Sequence, residues 1–307
     1  MSSVPALSWR DATDLIEDLN RLHVAGMPRG DQTGWPSVDK LYSVVPGQLT
    51  ILTGWPGSGK SEWLDALMLN LAAKCGWRFC VFSPENQPVE LHAAKMIAKA
   101  SGKPFGHGPT ERLTAEELIK YAVEVSDYFA FLTQSPDAQK TGFNVAEIID
   151  AAERAFRVRG DWDGDHKLGL VIDPWNEIEH WRDRNISETE YISQTLSYVR
   201  GWAKHHKVHV WIVAHPQKLR RDDSGKLPIP RPDSISGSQN WWNKADNAIT
   251  VHRALDDPQS RRVEIHVQKV RFSHVGQVGI ADLNYDRVTG RYHELLVGVS
   301  GYAGRKG

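Results

Sequence analysis

The stretch GWPGSGKS at residues 54–61 constrains this chain more than any other part of it. It satisfies G-x-x-x-x-G-K-[ST]. The apolar run GQLTILTG (47–54) leads into it and SEWLDALMLNLAAKCG (61–76) follows. Strand, glycine loop and helix in that order make a phosphate cradle. The glycines let backbone N–H groups curl around oxyanions, and the helix N-terminus adds partial positive charge. Gly54, Trp55, Pro56, Gly57, Ser58 and Gly59 supply the loop, Lys60 is placed for the β- and γ-phosphates, and Ser61 for Mg²⁺. A plain glycine turn before a helix has no need of Lys-Ser at its end.

Such a loop requires an α/β chain, and the rest of the sequence alternates accordingly. Strands are expected at WRFCVFSPE (77–85), FAFLTQS (129–135), KLGLVID (167–173), VHVWIVAH (208–215), DNAITVHR (246–253) and RVEIHVQKVRF (262–272). Helices are expected at 89–102, 144–160 and 188–206. Near-continuous apolar strands imply a mainly parallel central sheet with helices on both faces. Residues 8–23 read as an amphipathic helix capped by Ser8 and Asp11, with Leu15, Ile16, Leu19 and Leu22 in one stripe. The glycine- and proline-rich GMPRGDQTGWP (26–36) then reads as a linker. We therefore expect residues 1–33 to be an appendage, packed on its own domain or reaching to a neighbouring subunit. Residues 34–300 would be the main domain and 301–307 a flexible tail.

Two carboxylates should complete a phosphate site. Asp173 ends a buried strand, where open α/β sheets bind ligands, and fits an acid that orients Mg²⁺. Glu85, in SPEN, ends another strand and is placed to polarise an attacking water; spacing alone also allows a surface acid. His215, in VAHPQK, is expected at the same edge, as a γ-phosphate contact or as a structural histidine.

The run HVQKVRF (266–272) does not fit so easily. Val263, Ile265 and Val267 share one parity, and Lys269 and Arg271 continue it. In an unbroken strand residues i and i+2 face the same side. The apolar face therefore ends in two cations, which in a lone subunit should point at open solvent.

The net charge is −1 over 307 residues, so any nucleic-acid site must be a local patch rather than a global excess. Cys75 and Cys80 fit no zinc spacing and cannot make a disulfide framework. No apolar run approaches membrane-spanning length. A soluble, reduced, cytoplasmic setting is expected, in a bacterial or phage-infected cell rather than a mitochondrial nucleoid. Most of the twelve tryptophans should lie in the core.

The order GWPGSGKS, FSPEN, LVIDPW, VAHPQK, SGSQNWWNKADNAITVHR, QKVRFSHVGQVG resembles the RecA-like motor domain of hexameric replicative helicases of the DnaB superfamily. It is similar to the phage primase–helicase and Twinkle branch, over roughly residues 34–295. The resemblance implies a RecA-like P-loop NTPase using ATP, dTTP or another NTP with Mg²⁺. It makes Glu85 the catalytic glutamate, Asp173 the second metal-site residue beside Ser61, and His215 the phosphate sensor. Lys269 and Arg271 become the pair that enters a neighbouring subunit's site, with Arg271 the arginine finger. Arg253 and Tyr285 would flank the base.

The same resemblance places single-stranded DNA against Lys218, Arg220, Arg221, Lys226 and Arg231 of the loop KLRRDDSGKLPIPR, and against Gly237 and Ser238. On composition alone that loop is simply charged and solvated. Arg182 and Arg184 in HWRDRN are a further channel candidate, whereas Trp241 and Trp242 suit packing better than base stacking. The implied function is a 5′→3′ DNA helicase or translocase in replication, working as a hexamer, with primase or polymerase as possible partners. The alternatives are a RecA- or KaiC-like ring or filament ATPase without unwinding, or a nucleotide-assembled clamp or loader. No primase or zinc module precedes residue 1, so the chain reads as a minimal motor or as an excised C-terminal portion.

Overall fold

A computed structural model describes residues 9–135, 142–217, 227–237, 239–254, 257 and 259–295. The elements in chain order are α1 (Ile16–Ala25), α2 (Pro36–Asp39), β1 (Leu49–Thr53), α3 (Lys60–Cys75), β2 (Arg78–Phe82), α4 (Val89–Ser101), α5 (Ala115–Tyr128), β3 (Phe129–Leu132), α6 (Val145–Val158), β4 (Leu168–Ile172), α7 (Glu188–His206), β5 (Val208–Val213), α8 (Asn240–Lys244), β6 (Asn247–His252), β7 (Arg262–Val270), β8 (Gly279–Tyr285) and β9 (Tyr292–Glu294).

The nine strands of the described residues form one sheet in the order β3-β2-β4-β5-β1-β6-β7-β8-β9. From β3 to β6 every pairing is parallel; β7, β8 and β9 continue it antiparallel. Every residue of β1, β4 and β5 is buried, as expected of strands covered on both faces. Helices α3, α4 and α5 cover one face, together with Trp35, Val38 and Tyr42; α6, α7 and α8 cover the other. At Gly169 a Cβ would meet the Phe79 ring at 2.6 Å and the Trp211 ring at 2.9 Å. The glycine in β4 thus makes room for the aromatic layer of Trp77, Phe79 and Trp211.

Local signals explain the helix boundaries. Asn144 and Glu147 form a reciprocal capping box at the start of α6, which buries Val145, Ile148, Ile149, Ala152 and Phe156 at helical spacing. Gly76 ends α3 in the left-handed conformation.

Several expectations need correction. The first helix starts at Ile16, not residue 8. Asp11 turns back to accept from the backbone of Thr13 and Asp14, and Ser8 lies outside the described residues. None of its residues is buried. The supposed linker holds part of the domain body: Asp31 bridges Val44 and accepts from Trp77 and Lys167, and Pro36 opens α2. Helix α5 and strands β8 and β9 were not anticipated. The signal for α5 was nonetheless in the sequence, because Thr114 and Glu117 form a second capping box.

The sharpest correction concerns HVQKVRF. Ile249 pairs with Val267 but Ala248 pairs with Lys269, so Gln268 is an extra residue in β7. This β-bulge resets the alternation. Val263, Ile265, Val267 and Val270 pack on the α3 side. Lys269 instead donates to the Trp242 carbonyl, and Arg271 donates to those of Asn243 and Ala245, all around α8. Nor does the pair face empty solvent: Arg271 also binds Asp246, at 2.8 Å.

Candidate nucleotide site

The parallel strands place the site at their carboxyl ends, on the line where the chain moves from β1 outward to either side. Beyond β1 the loop needs its glycines. At Gly54 (φ +149) a Cβ would lie 2.4 Å from the Val251 carbonyl, and Gly57 and Gly59 also have positive φ. Helix α3 then begins at Lys60.

A cleft of about 410 Å³ opens over this loop. It is lined by residues 56–61 of the loop, with Glu85, Asp173, His215, Arg253 and Tyr285. Residues distant in sequence thus meet within one cavity. Gly54 and Trp55 form the start of the loop behind the cleft. Lys269 and Arg271 are not among its lining residues.

The polar groups point to an anion with a cation. Lys60 is 6% exposed, and its Nζ donates to the loop's own carbonyls at Gly54 (3.1 Å) and Trp55 (3.2 Å). Burial holds its ammonium below the usual lysine range, and the charges of Asp173 and Glu85 oppose that. Burial likewise pushes Asp173 up to about 6, against the Ser61 hydroxyl bound to it and the charge of Lys60. Asp173 Oδ1, Ser58 Oγ and His215 Nδ1 are buried without a hydrogen-bond partner among the described residues. Such groups are costly unless something satisfies them. A phosphate chain carrying a divalent cation would do so, with oxygens for Lys60 and the loop and a hydrated cation for Asp173. Ser61 and Asp173 are the residues that would hold the cation and its waters, a sparse donor set that would suit Mg²⁺, an ion that keeps most of its waters and substrate oxygens. No group of three or more His, Cys, Asp or Glu able to hold a metal occurs among the described residues.

His215 Nε2 stands 3.5 Å from Glu85 Oε1, and its backbone N–H donates to Asn176. Burial, then the charge of Lys60, keeps its imidazole below the ordinary value. It is therefore largely neutral and can donate from one ring nitrogen. Arg253 donates to the Gly57 carbonyl at 3.0 Å, so the cleft does contain an arginine of its own chain. Tyr285 packs on Tyr292 with ring centroids 5.0 Å apart.

The sequence reading missed several residues. Asn86, Lys95, Glu62 and Tyr292 also line the cleft. Behind it lies a buried ionic cluster: His92 Nε2 is 3.0 Å from Asp65 Oδ1, and Lys99 binds both Glu62 and Asp65. Glu62 and Asp65 lie on α3, and His92 and Lys99 on α4, a pattern that gives no signal until the two helices are known to pack.

Of the proposed DNA contacts, Lys218, Arg220, Arg221, Lys226 and Ser238 lie outside the described residues. Arg231 is exposed, its guanidinium 5.0 Å from the Trp242 ring centroid. Gly237 has positive φ, and its carbonyl accepts from Thr189. Arg182 and Arg184 are exposed, and Arg182 borders a groove with Trp175, His180 and Tyr191. Trp241 is fully buried, as a packing residue should be, and Trp242 is half-buried.

Residues 30–294 match the family model described as DnaB-like helicase C terminal domain. The Twinkle homolog protein, chloroplastic/mitochondrial, of Arabidopsis thaliana is 41% identical over 297 residues, covering 94% of this chain and 40% of that protein. The chain thus spans less than half the length of this curated relative. Among solved structures, one described as an ATPase domain has a TM-score of 0.75 at 17% identity, covering 93% of this chain and 100% of that one. A DnaB-like replicative helicase, described with its interactions with primase, has a TM-score of 0.74 at 18% identity, covering 93% of this chain and 68% of that one. At these identities the two structures speak for the shared fold.

Proposed function

The chain belongs to the family of DnaB-like helicase C-terminal domains, and from that premise we propose that it is the NTP-driven motor of a replicative DNA helicase. It would act as a hexameric ring that tracks 5′→3′ on single-stranded DNA. The observation that carries this reading is the meeting of the phosphate loop, Glu85, Asp173, His215 and Arg253 in one cleft. Its substrate is ATP, dTTP or another NTP, and bound Mg²⁺ supplies charge neutralisation at the β- and γ-phosphates.

The residues divide the work. Lys60 and the loop N–H groups hold the phosphates. Ser61 and Asp173 hold the metal and its waters. Glu85, exposed at the cleft mouth, orients the attacking water and takes its proton. His215, beside Glu85, senses the γ-phosphate. Arg253 and Tyr285 flank the base.

Lys269 and Arg271 serve the site of the neighbouring subunit. Arg271 rests on Asp246 in its own chain, yet Arg200 binds the same carboxylate at 3.0 Å. Arg271 can therefore leave without stranding a buried charge. Arg231 and the basic residues before it grip the DNA backbone, and helix α1 docks its apolar stripe on a neighbour. Primase or a polymerase is the expected partner in replication.

Strand displacement on a forked duplex, with Mg²⁺ and each NTP in turn, tests the reading. Unwinding from the 5′ side with DNA-stimulated hydrolysis is expected. Hydrolysis that ignores DNA in a ring-forming preparation would sink it in favour of an assembly module. A second reading, that Arg271 is only a structural partner of Asp246, has its own contact in its favour. Mixing Arg271→Ala with Lys60→Ala separates the two. A finger acting in trans regains hydrolysis at mixed interfaces; a structural arginine does not.

A further inference from the structure

We propose that Trp55 is a positioning residue through which the phosphate loop sets the placement of the segment ending at Arg231. The inference rests on the helicase reading above and adds a route from nucleotide to DNA within one chain.

Phosphate binding needs the loop's glycines and N–H groups, not a tryptophan. Yet Trp55 is 8% exposed, and its indole N–H leaves the loop to donate to the Pro228 carbonyl at 3.0 Å. Two residues on, the Pro230 carbonyl accepts from Thr250 Oγ1 (2.9 Å) and Gln268 Nε2 (3.0 Å). Gln268 is the bulge residue beside Lys269. Arg231 and Lys269 both lie over the Trp242 ring, at 5.0 and 5.7 Å. The segment PIPRP (228–232) therefore hangs between the phosphate loop and the strand end that carries the cation pair. Its three prolines fix φ, so it passes on a displacement better than an ordinary loop does.

The input is Lys60. Its Nζ donates to the carbonyls of Gly54 and Trp55, and a phosphate competes for that ammonium. Nucleotide arrival thus changes the hydrogen bonding of Trp55's own peptide. The indole carries the change to Pro228, and hence to Arg231. By linkage, nucleotide and DNA must then alter each other's affinity by the same factor.

The test measures affinity of the full chain for a fluorescent oligo-dT by anisotropy, at fixed salt, with and without a non-hydrolysable ATP analogue and Mg²⁺. The readout is the ratio of the two dissociation constants. Wild-type protein should show a ratio on the order of 10, within the usual range of coupling. Trp55→Phe, which keeps an aromatic ring and removes the N–H, should bring the ratio to within about twofold of one. Thr250→Val removes one of the two hydrogen bonds on the Pro230 carbonyl, from outside the cleft. It should lower the ratio while leaving analogue affinity within about twofold of wild type, a split that general damage to the site would not produce. Wild-type coupling retained by both variants overturns the inference alone. If Trp55→Phe fails to fold, Thr250→Val decides by the same criterion. A wild-type protein that binds the analogue but no DNA overturns the helicase reading, and the inference with it.

Discussion

At the scale of single residues, the cleft shows why chemistry and stability pull apart. Glu85 is exposed and faces His215, so Glu85→Gln should leave nucleotide binding intact. It should lower turnover by roughly 10²–10⁴-fold, the usual worth of a general base, measured as steady-state hydrolysis against analogue binding. The cluster behind the cleft behaves otherwise. Burial alone would lower His92 and raise Asp65, but their mutual charge and hydrogen bond win, so His92 is raised and Asp65 lowered. The His92 contribution to stability is therefore complete below its ordinary value of 6.5 and is lost as pH rises through its higher folded value. The Asp65 contribution is present above its ordinary value of 3.8 and is lost as pH falls through its lower folded value. The gap in unfolding free energy between wild type and His92→Asn should accordingly narrow as denaturation is repeated above neutral pH. An unchanging gap would mean that His92 packs without charge. The phosphate-loop residues were legible because their spacing is local. The His92 cluster was not, because its members meet only when α3 and α4 pack.

At the scale of elements, the bulge in β7 matters most. Alternation read along the sequence put Lys269 and Arg271 on the face of Val263 and Val267. One extra residue, Gln268, moves them to the α8 side. Deleting Gln268 lets Lys269 follow Val267 directly in a regular strand, still opposite Ala248, so both cations should stay on the α8 side. The deletion should cost only about 1 kcal/mol, for the lost Gln268–Pro230 hydrogen bond. Thermal unfolding should show that small loss; a loss of several kcal/mol would contradict the bulge. Helix α5 shows a milder case. Its capping box was visible as Thr114 and Glu117, but Ile119 and Val123 stand exposed and blur the stripe of Leu118, Tyr121, Ala122 and Val125 that packs on the core. Thr114→Ala should cost about 1 kcal/mol in chemical denaturation. Strands β8 and β9 gave less warning, since an antiparallel extension needs no helix to announce it.

At the scale of the whole molecule, the proposed ring would draw on the exposed stripe of α1. Ile16, Leu19 and Leu22 are 57%, 48% and 39% exposed on a helix with no buried residue. Covering one leucine is worth about 1.5–3 kcal/mol, so Leu19→Asp should weaken ring formation by roughly 10-fold or more in sedimentation with a non-hydrolysable nucleotide. Wild-type assembly by that variant would show that α1 lies outside the interface. The sequence by itself determined the alternating α/β order, the phosphate loop and the acids at strand ends, because each depends on residues near one another in the chain. It also placed the motif order that identified the family. Only the tertiary structure decided which face carries Lys269 and Arg271, that Arg253 enters its own chain's cleft, and that Trp55 reaches Pro228. A register shift and contacts between residues so far apart in the chain are set by packing, and no local pattern records them.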